Sequence, residues 1–368
     1  MVLFILGLVL FVLLVVVHEF GHFIVARKNG VEVEEFGVGF PPRLLGYKRK
    51  GDKTVYSLNA LPLGGFVQLK GESDTDSRKG SYGAASLKVK TKIMLAGVAM
   101  NLFTAFIMFT GLALIGMPQL IPDQFSVASD AKVVQDYKNK GVVSVVEVKN
   151  DSPAAAADIQ KGDQILSIDA RTVNSPDDLV KYTQELAGKQ VEIVTKRSDQ
   201  TTSKTVKLND NNGSNKGYLG VAAESQESGV QTVRSTWSAP IVSVGLIKQL
   251  SVLTFEGLGS LVSNVAQGEG SAAADQVTGP VGIVRILKDS SNLGLGVVLW
   301  LIAYISLTLA IMNLLPIPAL DGGKLYTTLI YRALKKPLTP KAERLIYGTS
   351  FALLFILFIL ITIIDVRR

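Results

Sequence analysis

Residues 2–26 read VLFILGLVLFVLLVVVHEFGHFIVA, an apolar run that is interrupted by a single cluster of ionisable side chains. At about 1.5 Å per residue, a helix of this length spans about 37 Å, which is enough to cross a bilayer with some tilt. A cleaved signal peptide would instead need a basic amino-terminal region and a small-residue cleavage site, and neither is present. The stretch therefore predicts a retained first transmembrane helix over residues 1–26.

The ionisable cluster in this helix is His18-Glu19-Phe20-Gly21-His22, which is an H-E-x-x-H motif. The spacing of four residues places both imidazoles on one face of a helix, where they can bind one metal ion. Glu19 lies about 100° around the helix and can reach a water beside the metal, as a general base must. The alternative is a structural polar cluster, but ionisable groups in a membrane are costly and usually functional. The motif therefore favours a metal site with Glu19 as the catalytic residue.

A catalytic zinc site needs a third protein ligand, and the chain has two histidines and no cysteine. The third donor is therefore expected to be an oxygen, and Asp321 lies beside an apolar span without a polar loop around it. Pro316 and Pro318 end that span, and the pair Gly322-Gly323 lets the backbone bend so that a carboxylate can approach a metal closely. By itself Asp321 would more often be a helix cap or a turn residue. Together with the H-E-x-x-H motif it is predicted to be the third ligand.

Asn313 lies at the end of the same apolar span, and two interpretations of its amide remain open. It could satisfy backbone groups that the following prolines leave free. It could instead donate a hydrogen bond to the substrate backbone or to the tetrahedral oxyanion.

The whole chain has the composition of a membrane protein with a soluble insert. Of its 368 residues, 48% are hydrophobic and 19% are charged, which excludes disordered, collagen-like and coiled-coil chains. Further apolar stretches predict transmembrane helices at 93–117, at 293–315 and at 345–364, and the third helix together with the Asn313–Gly323 motif occupies 293–323. We therefore expect a polytopic α-helical membrane protein with four transmembrane helices and with both termini on one side.

The distribution of charge predicts the orientation of these helices. The loop at 27–92 has 13 Lys and Arg against 7 Asp and Glu, and the loop at 324–344 has six against one. The long segment at 118–292 has 17 against 20. The positive-inside rule places the two basic loops in the cytoplasm and the long segment outside, although the terminal Arg367-Arg368 pair conflicts mildly with this topology. Topology thus explains the net charge of +7, and no nucleic-acid partner is expected.

The long outer segment is predicted to contain a soluble α+β domain of about 100 residues. Strands are predicted at 142–148, 164–168, 190–195 and 202–208, with a hairpin turn at 198–200 and a loop at 211–215. A helix from 176 to 186 has Ser175 as its N-cap. Residues 234–292 are predicted to be an amphipathic extracytoplasmic segment, because Lys248 and Glu256 interrupt its apolar run. A fifth span at 241–264 is the alternative, and it would put the termini on opposite sides.

The first cytoplasmic loop contains a mostly uncharged, glycine-rich stretch that predicts a membrane-associated β-hairpin. Short strands are expected at 54–58 and 65–69, interrupted by Pro62 and the pair Gly64-Gly65. A metal site within a membrane with a positioned carboxylate implies peptide-bond hydrolysis, and the substrate helix must then be unwound. The exposed strand edge at Gly64, Gly65, Phe66 and Val67 is the candidate for binding the extended substrate by backbone pairing. An ordinary cytosolic hairpin is an equally supported alternative.

In these motifs the chain resembles the site-2 protease family of intramembrane zinc metalloproteases, in its bacterial branch with a single PDZ domain. The resemblance covers essentially the whole chain in order. It rests on the H-E-x-x-H motif and on residues 313–323, with support from residues 38–41, 62–67, 95–97 with Asn101, and 279–283. Val98 departs from the family, in which many members have proline after Ala-Gly in the second span.

The resemblance implies a role for each part of the chain. His18, His22 and Asp321 would bind Zn²⁺, Glu19 would be the catalytic acid and base, and Asn313 would assist binding of the substrate or intermediate. Residues 64–69 would belong to a small membrane-associated β-element that presents the unwound substrate as an added strand. The α+β module, at about 127–223, would be an extracytoplasmic PDZ domain that binds a peptide terminus or acts as a size filter.

The same resemblance implies the setting in which the chain acts. It would lie in the bacterial plasma membrane as a multi-pass protein, with its active site near the cytoplasmic side. Its substrates would be single-span membrane proteins, such as anti-sigma factors, remnant signal peptides or pheromone precursors, usually after an upstream site-1 protease has cut them.

Two other functions remain as alternatives at this stage. The first is a catalytically idle membrane adaptor whose PDZ domain recruits partners, and it predicts that the change Glu19→Gln is tolerated. The second is a metal-ion carrier, which would need a string of polar residues along the spans. The spans contain Asn101, Asn313 and scattered Ser and Thr, so the carrier is the weaker alternative.

Overall fold

The computed structural model describes residues 1–72, 76–135, 142–197, 200–210, 217–226, 230–269, 274 and 276–367. The loop predicted at 211–215, Ser198 and Asp199 of the predicted hairpin turn, and Arg368 lie outside the described residues. The chain divides into two compact units. The first contains Met1–Met117, Ile121–Ala131 and Arg234–Arg368, and the second contains Pro118–Leu120 and Lys132–Val233.

The described residues form nine helices and eleven strands. The helices are α1 (Val2–Lys28), α2 (Leu87–Ile115), α3 (Pro153–Ala156), α4 (Pro176–Glu185), α5 (Ala239–Ala266), α6 (Pro280–Asn292), α7 (Leu295–Leu314), α8 (Asp321–Ala333) and α9 (Pro340–Arg367). The strands are β1 (Val33–Lys48), β2 (Val55–Leu69), β3 (Met117–Pro118), β4 (Lys132–Gln135), β5 (Val142–Val148), β6 (Gln164–Ile168), β7 (Arg171–Thr172), β8 (Gln190–Arg197), β9 (Gln200–Lys207), β10 (Val221–Gln226) and β11 (Thr232–Arg234).

In the described part of the chain, five helices are long and apolar enough to cross a membrane, namely α1, α2, α5, α7 and α9. Four of them lie at the predicted spans, although α2 begins at Leu87 rather than at 93 and α9 begins at Pro340 rather than at 345. Helix α5 is the fifth candidate and covers the segment that is predicted to be amphipathic. The protein is therefore a multi-pass membrane protein, and the count of four spans stays a prediction.

Helices α1, α2 and α7 pack against one another through small side chains. Gly7 and Gly21 are buried on α1, Gly97 and Ala105 on α2, and Ala303 on α7. Small residues allow helix backbones to approach closely where lipid supplies no hydrophobic driving force between helices. This close packing brings the middle of α2 against the H-E-x-x-H face of α1.

The β-element of the first unit differs from the predicted pair of short strands. Strands β1 and β2 each bend back on themselves, so that the sheet order by residue is 43–48, 55–59, 33–38 and 65–69. The register passes from the pair Phe40 and Leu61 to the pair Val38 and Gly65, and Pro62 lies in this bend. Because a proline cannot donate to a ladder, it is tolerated at such a bend. Among the described residues, the predicted strand at 65–69 lies at one end of this order and pairs with residues 33–38 of β1.

The second unit is the predicted α+β module, with an antiparallel sheet in the order β10-β5-β6-β8-β9 and with β7 beside β6. Strands β5 and β6 have the predicted bounds, and β8 and β9 form the predicted hairpin. Ser175 caps α4 as expected, because its Oγ accepts a hydrogen bond of 3.1 Å from the amide of Asp178. Three short strands at the ends of this unit form a further sheet in the order β3-β11-β4.

In the first unit, a carboxylate anchors the beginning of α5. Asp130 is 7% exposed and accepts hydrogen bonds from the backbone amides of Thr236 and Ser238, at 2.7 and 3.0 Å. It also accepts from both hydroxyl groups at 2.6 Å. The hydrogen bonds from Ser238 and Thr236 hold the pKa of Asp130 well below its ordinary value. Asp130 is therefore charged when it holds the start of α5 in place.

We expect Asp130→Asn to loosen the start of α5, because an amide nitrogen cannot accept the hydrogen bonds that the charged oxygens accept. Amide hydrogen exchange in the first turns of α5 should be faster at neutral pH. In the wild type, this stabilisation is fully present above the ordinary carboxyl pKa of about 3.9 and is lost as the pH falls through the lowered value. Asp123→Asn is the matched control, because Asp123 is exposed, and equal exchange in the two variants would contradict the anchoring role.

Candidate metal centre

The two histidines of α1 and the first residue of α8 meet at one point. His18 and His22 are each 7% exposed, and Nε2 of each ring lies beside the same oxygen of Asp321, at 2.9 and 3.0 Å. The two Nε2 atoms are 3.2 Å apart. Residues separated by about 300 positions in sequence are thus brought together, as predicted for a three-ligand site.

This donor set fits a zinc ion. Zinc binds imidazole nitrogen at about 2.0–2.1 Å and carboxylate oxygen at about 2.0–2.2 Å, and tetrahedral donors at such lengths lie about 3.3 Å apart. The three observed separations of 2.9, 3.0 and 3.2 Å are close to that spacing, so one ion can contact all three atoms. Two imidazoles and one carboxylate leave one position of a tetrahedral ion open, as in catalytic zinc sites.

Two glycines make room for this site between α1 and α2. A methyl group at Gly21 would lie 2.6 Å from the backbone oxygen of Ala96. A methyl group at Gly97 would lie 2.5 Å from Nε2 of both His18 and His22. Because real Cβ atoms do not approach other atoms this closely, any larger residue at Gly97 must displace the rings of His18 and His22.

We expect Gly97→Ala to lower the zinc affinity by at least about tenfold, comparable to the loss of a residue that orients a ligand. The physical reason is the displacement of both imidazoles. Metal analysis of the purified variant is the measurement. Gly111→Ala is the matched control, since Gly111 lies on the same helix and a methyl group there meets nothing within 4 Å among the described residues. Equal zinc content in both variants would contradict this packing.

The second nitrogen of each imidazole is oriented by α2. His22 Nδ1–H donates a hydrogen bond of 2.7 Å to the carbonyl oxygen of Ile93, which leaves the Nε2 lone pair for a metal. Fully buried Asn101 has its amide nitrogen 3.2 Å from Nδ1 of His18. In that orientation, the amide oxygen is buried without a hydrogen-bond partner among the described residues. The opposite orientation of the amide lets that oxygen accept from Nδ1–H, which also prepares His18 for metal binding.

Asp321 is placed by the turn that follows α7. Helix α8 begins at Asp321, so Gly322 and Gly323 lie within its first turn and not in a flexible bend. A methyl group at Gly322 would lie 2.6 Å from the backbone of Leu314 and of Leu315, and Gly323 lies against the backbone of Ile317. The predicted reason for the glycine pair is therefore wrong. The glycines are needed for close packing against the preceding turn, which holds the carboxylate at the histidines.

Glu19 lies beside the three donors without being one of them. Together with His22 and Asp321, it lines a cavity of about 740 Å³ in the first unit. The edge strand lines the same cavity through residues 66–69, and a methyl group at Gly65 would lie 3.6 Å from Cγ of Glu19. Glu19 and residues 66–69 of β2 thus line one cavity.

The remaining predicted site residues occupy different positions. Phe66 and Val67 line the cavity, and Gly64 has a φ of 99°, a conformation that favours glycine. The amide of Asn313 donates a hydrogen bond of 3.0 Å to the carbonyl oxygen of Leu309. Asn313 is not among the described residues that line the cavity, so its role in binding substrate stays a prediction.

Other cavity-lining residues were not predicted from the sequence. They are Glu72, Tyr82, Ile93, Met94, Lys324, Thr328, Glu343, Arg344, Tyr347 and Gly348. Lys324 could have been found, because it follows Asp321 by one helical turn and so shares its face. Asn101 could also have been found from the sequence, because an amide side chain within an apolar span needs a hydrogen-bond partner. The residues of α9 carry no such signal.

Comparison with known proteins extends these observations to nearly the whole chain. The sequence profile of peptidase family M50 matches residues 6–357. A candidate zinc metalloprotease of Clostridium perfringens is 33% identical over 374 residues, which cover 98% of this chain and 97% of the relative. A candidate zinc metalloprotease of Clostridium acetobutylicum is 30% identical, with 98% and 96% covered. A candidate protease of Enterococcus faecalis named Eep is 25% identical, with 98% of each chain covered.

Among solved structures, the similarity is local. The PDZ domain of an SdrC-like protein from Listeria monocytogenes is 27% identical, with a TM-score of 0.21, and the match covers 24% of this chain and 93% of that domain. The corresponding PDZ domain from Listeria innocua is 29% identical, with a TM-score of 0.20, and the match covers 23% and 93%.

Proposed function

Because this chain belongs to peptidase family M50 and is a zinc metalloprotease of the membrane, we propose that it hydrolyses peptide bonds within the transmembrane segments of other membrane proteins. The observation that carries this proposal is the cavity shared by Glu19, the donors His22 and Asp321, and the edge strand at 65–69. The proposed general base, the proposed metal ligands and a strand that can pair with an extended substrate backbone therefore lie next to one another. His18 completes the ligand set from the same helix.

The substrate segment is bound in extended form in this proposal. A transmembrane helix has all its backbone groups paired internally, so its peptide bonds become accessible only after local unwinding. The edge at residues 65–68 offers backbone donors and acceptors to the unwound segment, as in strand addition, whereas the amide of Leu69 already donates a hydrogen bond of 3.1 Å to Glu72. Gly65 keeps this edge close to Glu19, because no side chain separates the two residues.

Glu19 moves the proton in the reaction. It accepts a proton from the attacking water and delivers it to the amide nitrogen of the leaving segment, as a general base and then a general acid. When bound, zinc supplies a Lewis acid that polarises the scissile carbonyl and activates the water. The carbonyl oxygen of Ile93 orients the ring of His22, and the amide group of Asn101 orients the ring of His18. Asn313, in this proposal, contributes a second N–H to the substrate backbone or the oxyanion.

The proposed setting is the bacterial plasma membrane, with the active site near the cytoplasmic face and the second unit outside. The basic loops support this orientation through the positive-inside rule. Substrates are single-span proteins, such as anti-sigma factors, remnant signal peptides or pheromone precursors, which an upstream site-1 protease has already trimmed. The second unit, as a PDZ domain, then admits trimmed chains, and its groove of about 270 Å³ beside Tyr218, Leu219 and Gly220 supports recognition of a peptide terminus.

The test is co-expression of the chain with a panel of single-span membrane proteins, each in full-length and trimmed form. We expect the wild-type protein to cut trimmed substrates within their transmembrane segments, and mass spectrometry of the fragments should locate the cut. The Glu19→Gln variant serves as the inactive reference. Fragments that appear equally with the variant would contradict the proposal and favour the idle adaptor, whereas cuts confined to the extracytoplasmic parts would contradict the site of cleavage.

We expect Val67→Pro to lower the cleavage rate by at least tenfold while zinc content stays unchanged. Proline removes a backbone N–H and clashes with pairing, and a lost backbone hydrogen bond plus local distortion costs about 1.4 kcal/mol or more. Val67→Thr is the matched control, because it keeps both the N–H and the β-branched shape. If the Val67→Pro variant cleaves as fast as the Val67→Thr variant, strand addition is contradicted. The assignment of the metal ligands would not be affected by that result.

A further inference from the structure

Helix α8 contributes more than the third donor to the cavity beside the metal centre. Asp321, Lys324 and Thr328 all line that cavity, and their spacing of three and four residues places them on one face of the helix. Gly322 and Gly323 pack against the preceding turn and fix the start of α8. A lysine is therefore held one helical turn from the predicted third ligand, in the same cavity.

The ammonium group of Lys324 is not paired with any described residue. Its side chain forms no hydrogen bond or ion pair with any of them, although Lys324 is half-buried. Glu19 attracts the positive charge without forming an ion pair with it. Withdrawing a charged group from water without a hydrogen-bonded partner is costly. The ammonium group is therefore available to an anion in the cavity, and a bound anion would offset that cost.

Two other donor groups near the metal centre are less suited to bind an anion there. Arg344 also lines the cavity, but it is exposed, and its Nε donates a hydrogen bond of 3.4 Å to the carbonyl oxygen of Pro340. The amide of Asn313 donates to Leu309, and Asn313 is not among the described residues that line the cavity. Lys324 is thus the best-placed donor for an anion beside the metal centre.

The proposed reaction itself creates an anion in this cavity. Hydrolysis adds water to a neutral amide and gives a carboxylate on the amino-terminal fragment and an ammonium group on the carboxy-terminal fragment. The cavity already contains the carboxylates of Glu19 and Asp321, and like charges within one cavity repel each other. Transmembrane segments rarely carry acidic side chains. The carboxylate formed at the cut is therefore the anion that the chemistry of this cavity supplies.

We propose that the ammonium group of Lys324 binds the new carboxylate of the amino-terminal cleavage product, an inference that rests on the proposed function. The ammonium group carries three N–H donors on a flexible stem, so it can reach the oxygen on which negative charge develops. A charge-assisted hydrogen bond from Lys324 opposes the repulsion by Glu19 and Asp321. Peptides that end in a carboxylate should therefore bind in the cavity, and Lys324 should control how tightly they bind.

The test compares two probes that differ only at the terminus, namely N-acetyl-Leu-Ala-Leu with a free carboxylate and the same peptide as its carboxamide. Their binding to the purified, zinc-loaded, full-length chain is measured by titration calorimetry. We expect Lys324→Met to lower the preference for carboxylate over carboxamide by about tenfold or more, the size of a charge-assisted hydrogen bond. Lys324→Arg keeps the charge and should retain most of the preference. Zinc itself favours a carboxylate, so the difference between variants isolates the contribution of Lys324.

Lys336→Met is the matched control, because Lys336 is exposed just after α8 and is not among the described residues that line the cavity. It should leave the preference unchanged. Zinc content reports whether each variant keeps the metal centre, and Lys324→Gln replaces Lys324→Met where zinc is lost. Loss of zinc from both Lys324 variants would show that the lysine supports the ligands, and it would overturn the proposed binding role.

Two results of the calorimetry would also overturn the proposal, namely an unchanged preference in Lys324→Met or an equal loss of affinity for both probes. A second pair of probes, the carboxamides of N-acetyl-Leu-Glu-Leu and N-acetyl-Leu-Gln-Leu, tests for an acidic substrate side chain instead. If Lys324 controls the preference within this pair and not within the first, the proposal is wrong.

The outcomes separate this inference from the proposed function. An unchanged preference in Lys324→Met, in a chain whose wild type cleaves membrane proteins, contradicts the role of Lys324 alone. A preference that depends on Lys324, in a chain that cleaves no membrane protein, would support the carboxylate site while contradicting the proposed function.

Discussion

Glu19→Gln should lower the rate of peptide-bond cleavage by about 10²–10⁴-fold while the chain keeps its zinc. The carboxylate lies beside the ligand atoms of His18, His22 and Asp321 but is not part of that group. Glutamine has nearly the same shape and cannot accept a proton at neutral pH. The expected result is therefore a folded, metal-loaded and inactive chain. Cleavage of a trimmed substrate and metal analysis of the same preparation are the two measurements.

Glu34→Gln is the matched control for this prediction, because Glu34 is exposed in β1 and is not among the described residues that line the cavity. It should cleave at the wild-type rate. If Glu19→Gln cleaves as fast as Glu34→Gln, the general-base role is wrong and the adaptor interpretation gains support. If Glu19→Gln loses its zinc, the carboxylate is a ligand, and the separation of roles between Glu19 and Asp321 fails.

Asp321→Ala should remove both zinc and activity. The change deletes one of three protein donors, and it should weaken zinc binding by more than the 10–100-fold typical of losing an outer-shell partner. The two rings would then lie beside each other without the anionic oxygen that now contacts both. Zinc retention during dialysis against a weak chelator measures the effect, and cleavage should fall in proportion to the zinc lost.

Asp321→Asn keeps the shape of the side chain and separates loss of the ligand from loss of the fold. An amide oxygen is a weaker donor than a carboxylate, so this variant should bind zinc less tightly than wild type and remain folded. Asp289→Ala, at an exposed aspartate of α6, should retain full zinc content. Full zinc content in both Asp321 variants would show that the third donor is another group.

Much of the metal centre could be predicted because its signals are local. The i, i+4 spacing of His18 and His22 fixes their common face on any helix. The absence of other histidines and of cysteine restricts the third donor to oxygen. The contacts of Gly97 and Asn101 with the rings could not be predicted, since they depend on how α1 and α2 cross. No periodicity within either helix specifies that crossing.

The β-element shows where sequence patterns are insufficient. Burial in strand β1 alternates only over residues 33–39, because every residue from 40 to 48 is exposed. Strand β2 continues through a bend at Pro62, so turn signals suggested two separate strands. Helix α5 presents a related difficulty, because Lys248 and Glu256 divide an otherwise apolar sequence whose length still suffices to cross a membrane. In contrast, β5 and β6 have the predicted bounds.

The most direct test of the metal assignment is X-ray absorption at the zinc edge of the purified, active chain. The predicted spectrum has about one zinc per chain, two imidazole nitrogens at about 2.0–2.1 Å and oxygen donors at about 2.0–2.2 Å. The imidazole signal should disappear when His18 and His22 are replaced together. A zinc shell that lacks imidazole, or an active chain that contains no metal, would contradict the assignment of His18, His22 and Asp321 as the site of catalysis.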